Sequence, residues 1–163
     1  MSRVLQLLQQ IIRPARLLLV EDDEVVGDSL KKLLERHYVC TLVWVRTVRE
    51  AMRIVHEEQD DFDLVLLNLV LPDGTGAEVC EKLKVKWPTV PVIVITGFAE
   101  TEVARRVLSM GVVAFFSKPF GVESLENIFR TYKISARTRE DQNYFDSVRT
   151  FGEGMRTPSA SST

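Results

Sequence analysis

Five apolar runs of strand length alternate with segments of helical periodicity along most of this chain. The runs are 16–21, 39–45, 63–68, 90–96 and 112–117, rich in Val, Leu, Ile and Phe. They are continuous rather than alternating, the pattern of parallel strands buried on both faces. Helical spacing fills the gaps. Segment 24–37 places Val26, Leu30, Leu33, Leu34 and His37 on one side, and 47 onward opens with the capping box Thr47-Val48-Arg49-Glu50 and buries Val48, Ala51, Met52 and Val55. Segment 76–86 stops before Pro88, 99–110 closes at Gly111, and 121–133 carries Val122, Leu125, Ile128, Phe129 and Tyr132. Such alternation implies an α/β fold: a doubly wound five-stranded parallel sheet with helices on both faces.

In a sheet of this kind, ligands bind beyond the carboxyl ends of the strands. Those ends hold Glu21-Asp22-Asp23, Asn68, Thr96 and Lys118-Pro119. Acids, a hydroxyl and a lysine gathered there suit phosphoryl transfer. Two carboxylates can hold Mg²⁺, which keeps several waters and needs few protein ligands. Lys118 would neutralise phosphoryl charge and Thr96 would donate to a phosphoryl oxygen. Residue 68 should be the nucleophilic carboxylate, but it is an amide. Asp23 and Glu24 read as helix N-terminal charges, and His37 and His56 as structural or surface residues.

Bulk properties narrow the function classes. Apolar residues make up 45% and charged residues 27%, with a formal net charge of -2. That balance offers no global attraction for nucleic acid. No apolar run approaches the ~18 residues of a membrane span, and the start of the chain lacks a signal-peptide cleavage site. The expected location is cytoplasmic. Cys40 and Cys80 sit in apolar periodic segments and read as buried reduced thiols.

Four stretches carry a resemblance: Leu18-Leu19-Val20-Glu21-Asp22-Asp23, Leu66-Leu67-Asn68-Leu69-Val70-Leu71-Pro72-Asp73-Gly74, Val94-Ile95-Thr96-Gly97 and Phe116-Ser117-Lys118-Pro119-Phe120. Each alone is a weak signal, but together, in this order and spacing, the chain resembles the receiver domain of bacterial response regulators over about residues 15–133. The resemblance implies the flavodoxin-like strand order 2-1-3-4-5, that Glu21 and Asp22 match the metal-binding acidic pair and that Asn68 stands at the phosphoacceptor position. It implies that the Val70 backbone carbonyl completes the metal set of Glu21, Asp22, Asn68 and Val70. Thr96 and Lys118 match the switch hydroxyl and the phosphoryl-contacting lysine, Phe115 matches the switch aromatic, and the Lys118-Pro119 bond is expected to be cis.

The function implied by the resemblance is a signalling module of two-component phosphorelays rather than an enzyme. Its implied partners are a sensor histidine kinase or phosphotransfer protein and a downstream protein target, contacted directly, with no nucleic acid or membrane and with a homodimer as one option. The implied output face includes Arg105, Arg106, Phe115 and parts of 121–133. An amide is a poor nucleophile, so no acyl phosphate is expected on Asn68. Mg²⁺ binding should be weak or absent, because one negative charge is missing, although the amide oxygen could still serve as a neutral ligand. Two origins stay open: a natural pseudo-receiver, or a phosphoaccepting single-domain parent carrying an engineered Asn. A flavodoxin-like cofactor binder is disfavoured because Glu21-Asp22-Asp23-Glu24 would repel phosphate. A haloacid-dehalogenase-type phosphohydrolase needs two aspartates where Asn68 and Val70 stand.

Two extensions flank the domain. Residues 1–14 form an amphipathic stretch with Val4, Leu5, Leu8, Ile11 and Ile12 in one stripe, ended by Pro14. Residues 134–163 include a short helix expected at 138–151, with Tyr144, Phe145, Val148 and Phe151 along one side, and then a flexible end. The expectation is that this tail packs on its own domain or on a second copy. The segment after the fifth helix, about 30 residues, is too short for a further folded domain.

Overall fold

The computed structural model describes residues 14–98 and 101–132. Strand β1 (Ala15–Val20) leads to helix α1 (Glu24–His37), β2 (Cys40–Val45), α2 (Val48–Glu57) and β3 (Leu64–Leu67). A small hairpin comes next, β4 (Val70–Leu71) and β5 (Gly74–Thr75), and then α3 (Gly76–Lys86), β6 (Val92–Thr96), α4 (Glu102–Leu108), β7 (Ala114–Ser117) and α5 (Val122–Thr131). The main sheet has five strands in the order β2-β1-β3-β6-β7, all pairs parallel. With the hairpin set aside, this is the expected 2-1-3-4-5 order.

The continuous apolar runs are explained by a core on each side of the sheet. Alternate residues of β1 divide between them: Leu18 and Val20 face α2, α3 and α4, while Leu17 and Leu19 face α1 and α5. Each fully buried Leu, Val or Phe contributes roughly 1.5–3 kcal/mol before entropy losses. Edge strands differ. β2 and β7 are mostly half-buried, because an open sheet covers its outer strands less completely than its centre. Among the other expectations, His37 is exposed, in keeping with a surface residue, while Met52 is half-buried rather than core. Helix α4 is capped by Thr101, which accepts from the Ala104 N–H, and Gly111 takes a positive φ of 75° in the turn after it.

Two glycines permit close approaches near the site. A Cβ on Gly27 of α1 would lie 2.0 Å from the Trp44 ring, so this helix can lie on β2 only because position 27 lacks a side chain. A Cβ on Gly76, the first residue of α3, would lie 2.1 Å from the backbone oxygen of Asn68. The amphipathic stretch 1–13 and the whole 134–163 extension, with its expected helix 138–151, lie outside the described residues. No helix among the described residues is long and apolar enough to cross a membrane.

Candidate functional site

Backbone pairing delivers the polar residues to one edge of the sheet. The Glu21 N–H donates to Val45 O at 3.0 Å, Asn68 N–H to Val20 O at 2.9 Å and Lys118 N–H to Thr96 O at 2.8 Å. Each bond extends the ladder one residue past a strand, so the side chains emerge together where β1 and β3 send their connections in opposite directions. That is the switch point of a doubly wound sheet. The Lys118-Pro119 peptide is cis.

Glu21 is 1% exposed, a costly place for a carboxylate unless it is compensated. Its Oε2 accepts from Lys118 Nζ at 2.7 Å, and its Oε1 accepts from the Asp23 N–H at 3.1 Å and from Asn68 Nδ2 at 3.2 Å. Burial pushes the Glu21 carboxyl above its usual range. The hydrogen bond and charge of Lys118, then the Asp23 N–H, oppose that rise, and the negative charge of Asp22 adds to it. Asn68 also donates from Nδ2 to Asp22 Oδ1 at 3.0 Å, while its Oδ1 accepts from the Val70 N–H at 3.3 Å. Lys118, Glu21, Asn68 and Asp22 thus form one hydrogen-bonded chain, anchored at Val70.

The remaining predicted residues stand around this chain. Thr96 ends β6, fully buried, with its Oγ1 accepting from the Phe98 N–H at 3.2 Å. Phe115 pairs with Val94 in the sheet and packs, half-buried, against the core that holds Ala104 and Val107 of α4. Asp23 is the N-cap of α1, accepting from the N–H groups of Val25 and Val26, and those bonds hold its carboxyl below the usual range.

Two supporting residues make contacts that had no readable signal in the chain. Trp44 Nε1 donates to the Glu21 carbonyl at 2.9 Å, tying β2 to the acidic loop. Asp73, in the turn of the β4–β5 hairpin, accepts from the Val48 N–H at 2.7 Å and the Arg49 N–H at 3.0 Å, pinning the segment after Asn68 to the start of α2. Its Leu-Pro-Asp-Gly context marks a turn, but the turn's partner lies 25 residues away in sequence.

Among the described residues, no group of three His, Cys, Asp or Glu side chains converges on a metal site. The two carboxylates do converge, but the group between them is an amide that directs its donors at both. Residues in this arrangement do not fit a cation bridging Glu21 and Asp22.

Fold and pocket together define a flavodoxin-like α/β domain with an acidic site at its switch point. The chain belongs to the response regulator receiver domain family, whose sequence pattern matches residues 17–130. It is therefore a receiver domain of two-component signalling. Among curated relatives, response regulator RppA of Synechocystis sp. is 28% identical over 145 residues, covering 88% of this chain and 59% of that protein. Among solved structures, the non-phosphorylated HemR receiver domain of Leptospira biflexa is 34% identical with a TM-score of 0.63, covering 77% of this chain and 97% of that one. The receiver domain of sensor histidine kinase PA1611 from Pseudomonas aeruginosa, solved with a magnesium ion coordinated in its active-site cleft, has a TM-score of 0.64 over 73% of this chain and 97% of that one. At 22% identity, that likeness concerns the fold alone. The chain spans 59%, 49%, 56% and 48% of the lengths of four curated relatives that it matches.

Proposed function

We propose that this receiver domain signals by protein contact and does not accept a phosphoryl group at residue 68. The observation that carries the reading is the Asn68 side chain at the end of β3, hydrogen-bonded between Glu21 and Asp22. An acyl phosphate needs a carboxylate oxygen as nucleophile, and the amide oxygen is far weaker. Here that oxygen is also engaged by the Val70 N–H. The partners are a sensor histidine kinase or phosphotransfer protein on the input side and a protein target on the output side. The output face is formed by α4, β7 and α5, where Leu108 is 53% exposed and Phe115 lies beneath. Arg105 pairs there with Glu102, and Arg106 with Glu81.

The experiment is phosphoryl labelling. Incubated with Mg²⁺ and acetyl phosphate, the chain should show no added phosphoryl mass at residue 68. The Asn68→Asp variant should gain it, because Glu21, Asp22, Thr96 and Lys118 all remain. Labelling of the unaltered chain at that residue would overturn the reading. The intact surroundings also favour a second reading, a phosphoaccepting parent altered at one position. A variant that stays unlabelled would count against it.

A further inference from the structure

The Asn68 amide stands between two carboxylates. Its Nδ2 donates to Glu21 Oε1 at 3.2 Å and to Asp22 Oδ1 at 3.0 Å. The partners fix which way the amide faces. Ionised carboxylates only accept hydrogen bonds, so the NH₂ must turn towards them, and the oxygen then accepts from the Val70 N–H at 3.3 Å. Reversing the amide would set an oxygen against two carboxylates and a donor against a donor. The one atom of this side chain able to bind a metal is therefore turned to the loop backbone. Glu21 is further committed, since its second oxygen holds Lys118 at 2.7 Å.

We infer that Asn68 is a built-in substitute for the cation and a barrier to its entry. The two N–H groups of one amide satisfy both acids, which removes the need for a positive ion between them. Through Glu21 the same contact keeps Lys118 in place. A divalent ion can reach the acidic pair only by displacing the amide and its three hydrogen bonds. The inference deepens the proposed function, because it rests on reading residue 68 as the altered acceptor position. It adds that the pocket keeps one arrangement without metal, and that Asn68 excludes a metal rather than ligating it.

The two roles for Asn68 predict opposite outcomes. If the amide were a ligand, removing it would weaken metal binding. If it competes with the ion, removing it will strengthen binding although an oxygen is lost. The test is a Mg²⁺ titration of the full chain, without phosphodonor, comparing the unaltered protein with Asn68→Ala. The readout is tryptophan fluorescence in a Trp87→Phe background, which leaves Trp44 bonded to the Glu21 carbonyl as the reporter. Melting temperature is followed in parallel. Asn68→Ala should bind Mg²⁺ about tenfold more tightly than the unaltered chain, equivalent to about 1.4 kcal/mol. Equal or weaker binding by Asn68→Ala would overturn the inference.

A second measurement does not depend on that variant folding. In ¹⁵N spectra of the unaltered protein, the Asn68 side-chain amide protons should be protected from solvent exchange. They should stay unmoved at Mg²⁺ concentrations that saturate Asn68→Asp, and a shift or loss of protection there would sink the proposal. Phosphoryl uptake is read separately by mass, so failure of the proposed function and failure of this inference are distinguishable.

Discussion

Lys118 Nζ lies 2.7 Å from Glu21 Oε2, and this single contact joins β7 to the loop after β1 across the width of the pocket. The Glu21 side chain is 1% exposed and that of Lys118 21%, so the pair is shielded from most solvent screening. Removing one partner of such a pair strands the other charge, whereas a pair on the open surface would contribute little.

Lys118→Met should therefore destabilise the domain by about 2–4 kcal/mol at neutral pH, a value reduced for the partial exposure of the lysine. Loss of the lysine removes the main opposition to burial and raises the Glu21 carboxyl further above its usual range. A raised carboxyl contributes stability that is fully present below its unfolded value of about 4.3 and is lost as pH rises through the folded value. The deficit of the variant should thus be largest near neutrality and shrink as pH falls towards about 4. Urea denaturation of both proteins across that range measures it, and a deficit independent of pH would contradict the assignment.

Asp73 works in the opposite direction. The N–H groups of Arg49 and Val48 hold its carboxyl below the usual range. A depressed carboxyl contributes stability that is present above its unfolded value of about 3.9 and is lost as pH falls through the folded value. Asp73→Asn should be less stable than the unaltered chain at neutral pH and should lose less stability on acidification below about pH 4, because the amide does not titrate. Acid denaturation curves that run parallel for the two proteins would show that the contact carries no linkage.

Gly76→Ala tests the join between α3 and the site. The new Cβ would meet Asn68 O at 2.1 Å and two further backbone atoms, the Asn68 carbonyl carbon and the Leu69 Cα, at 3.0 Å. Backbone cannot swing aside as a side chain can, so the clash should cost about 1–3 kcal/mol and displace residue 68. Gly97→Ala is the matched control, since a Cβ there meets nothing within 4 Å, and it should stay within about 0.5 kcal/mol of the parent. Chemical denaturation of the two variants side by side decides the point.

Much of this architecture is legible in the chain because burial leaves a pattern. Parallel strands covered on both faces must be apolar throughout, so runs such as Leu64–Leu67 stand out, and the residues just past them must be polar. That pattern alone places Glu21, Asp22, Asn68 and Lys118 at one edge of the sheet. The β4–β5 hairpin has two-residue strands, too short to leave a periodicity. Periodicity alone does not mark where α4 begins, whereas the Thr101 cap does. Contacts between distant segments, such as Asp73 with Val48 and Gly27 with Trp44, depend on how elements pack and leave no local signal. The orientation of the Asn68 amide belongs to the same class, because its neighbours decide it.

Asn68→Asp exposes the energetic role of that amide most directly. The substitution keeps the shape of the side chain but replaces two donated hydrogen bonds with a third carboxylate. Glu21 Oε1 and Asp22 Oδ1 each lose a donor and gain a like charge nearby. Glu21 Oε1 keeps the Asp23 N–H and Asp22 is half-buried, so losing the two hydrogen bonds to charged acceptors costs about 1–3 kcal/mol, and repulsion between close carboxylates adds to this. In chelator, the variant should unfold about 2–4 kcal/mol more easily than the unaltered chain. Mg²⁺ binds only the folded pocket, so it should return about 2.7 kcal/mol to the variant at a concentration about one hundred times its Kd. The unaltered chain should gain nothing comparable at the same concentration. Urea denaturation of both proteins, with chelator and with Mg²⁺, makes the comparison. If the aspartate form proves as stable as the parent in chelator, the amide is not what holds the two acids together.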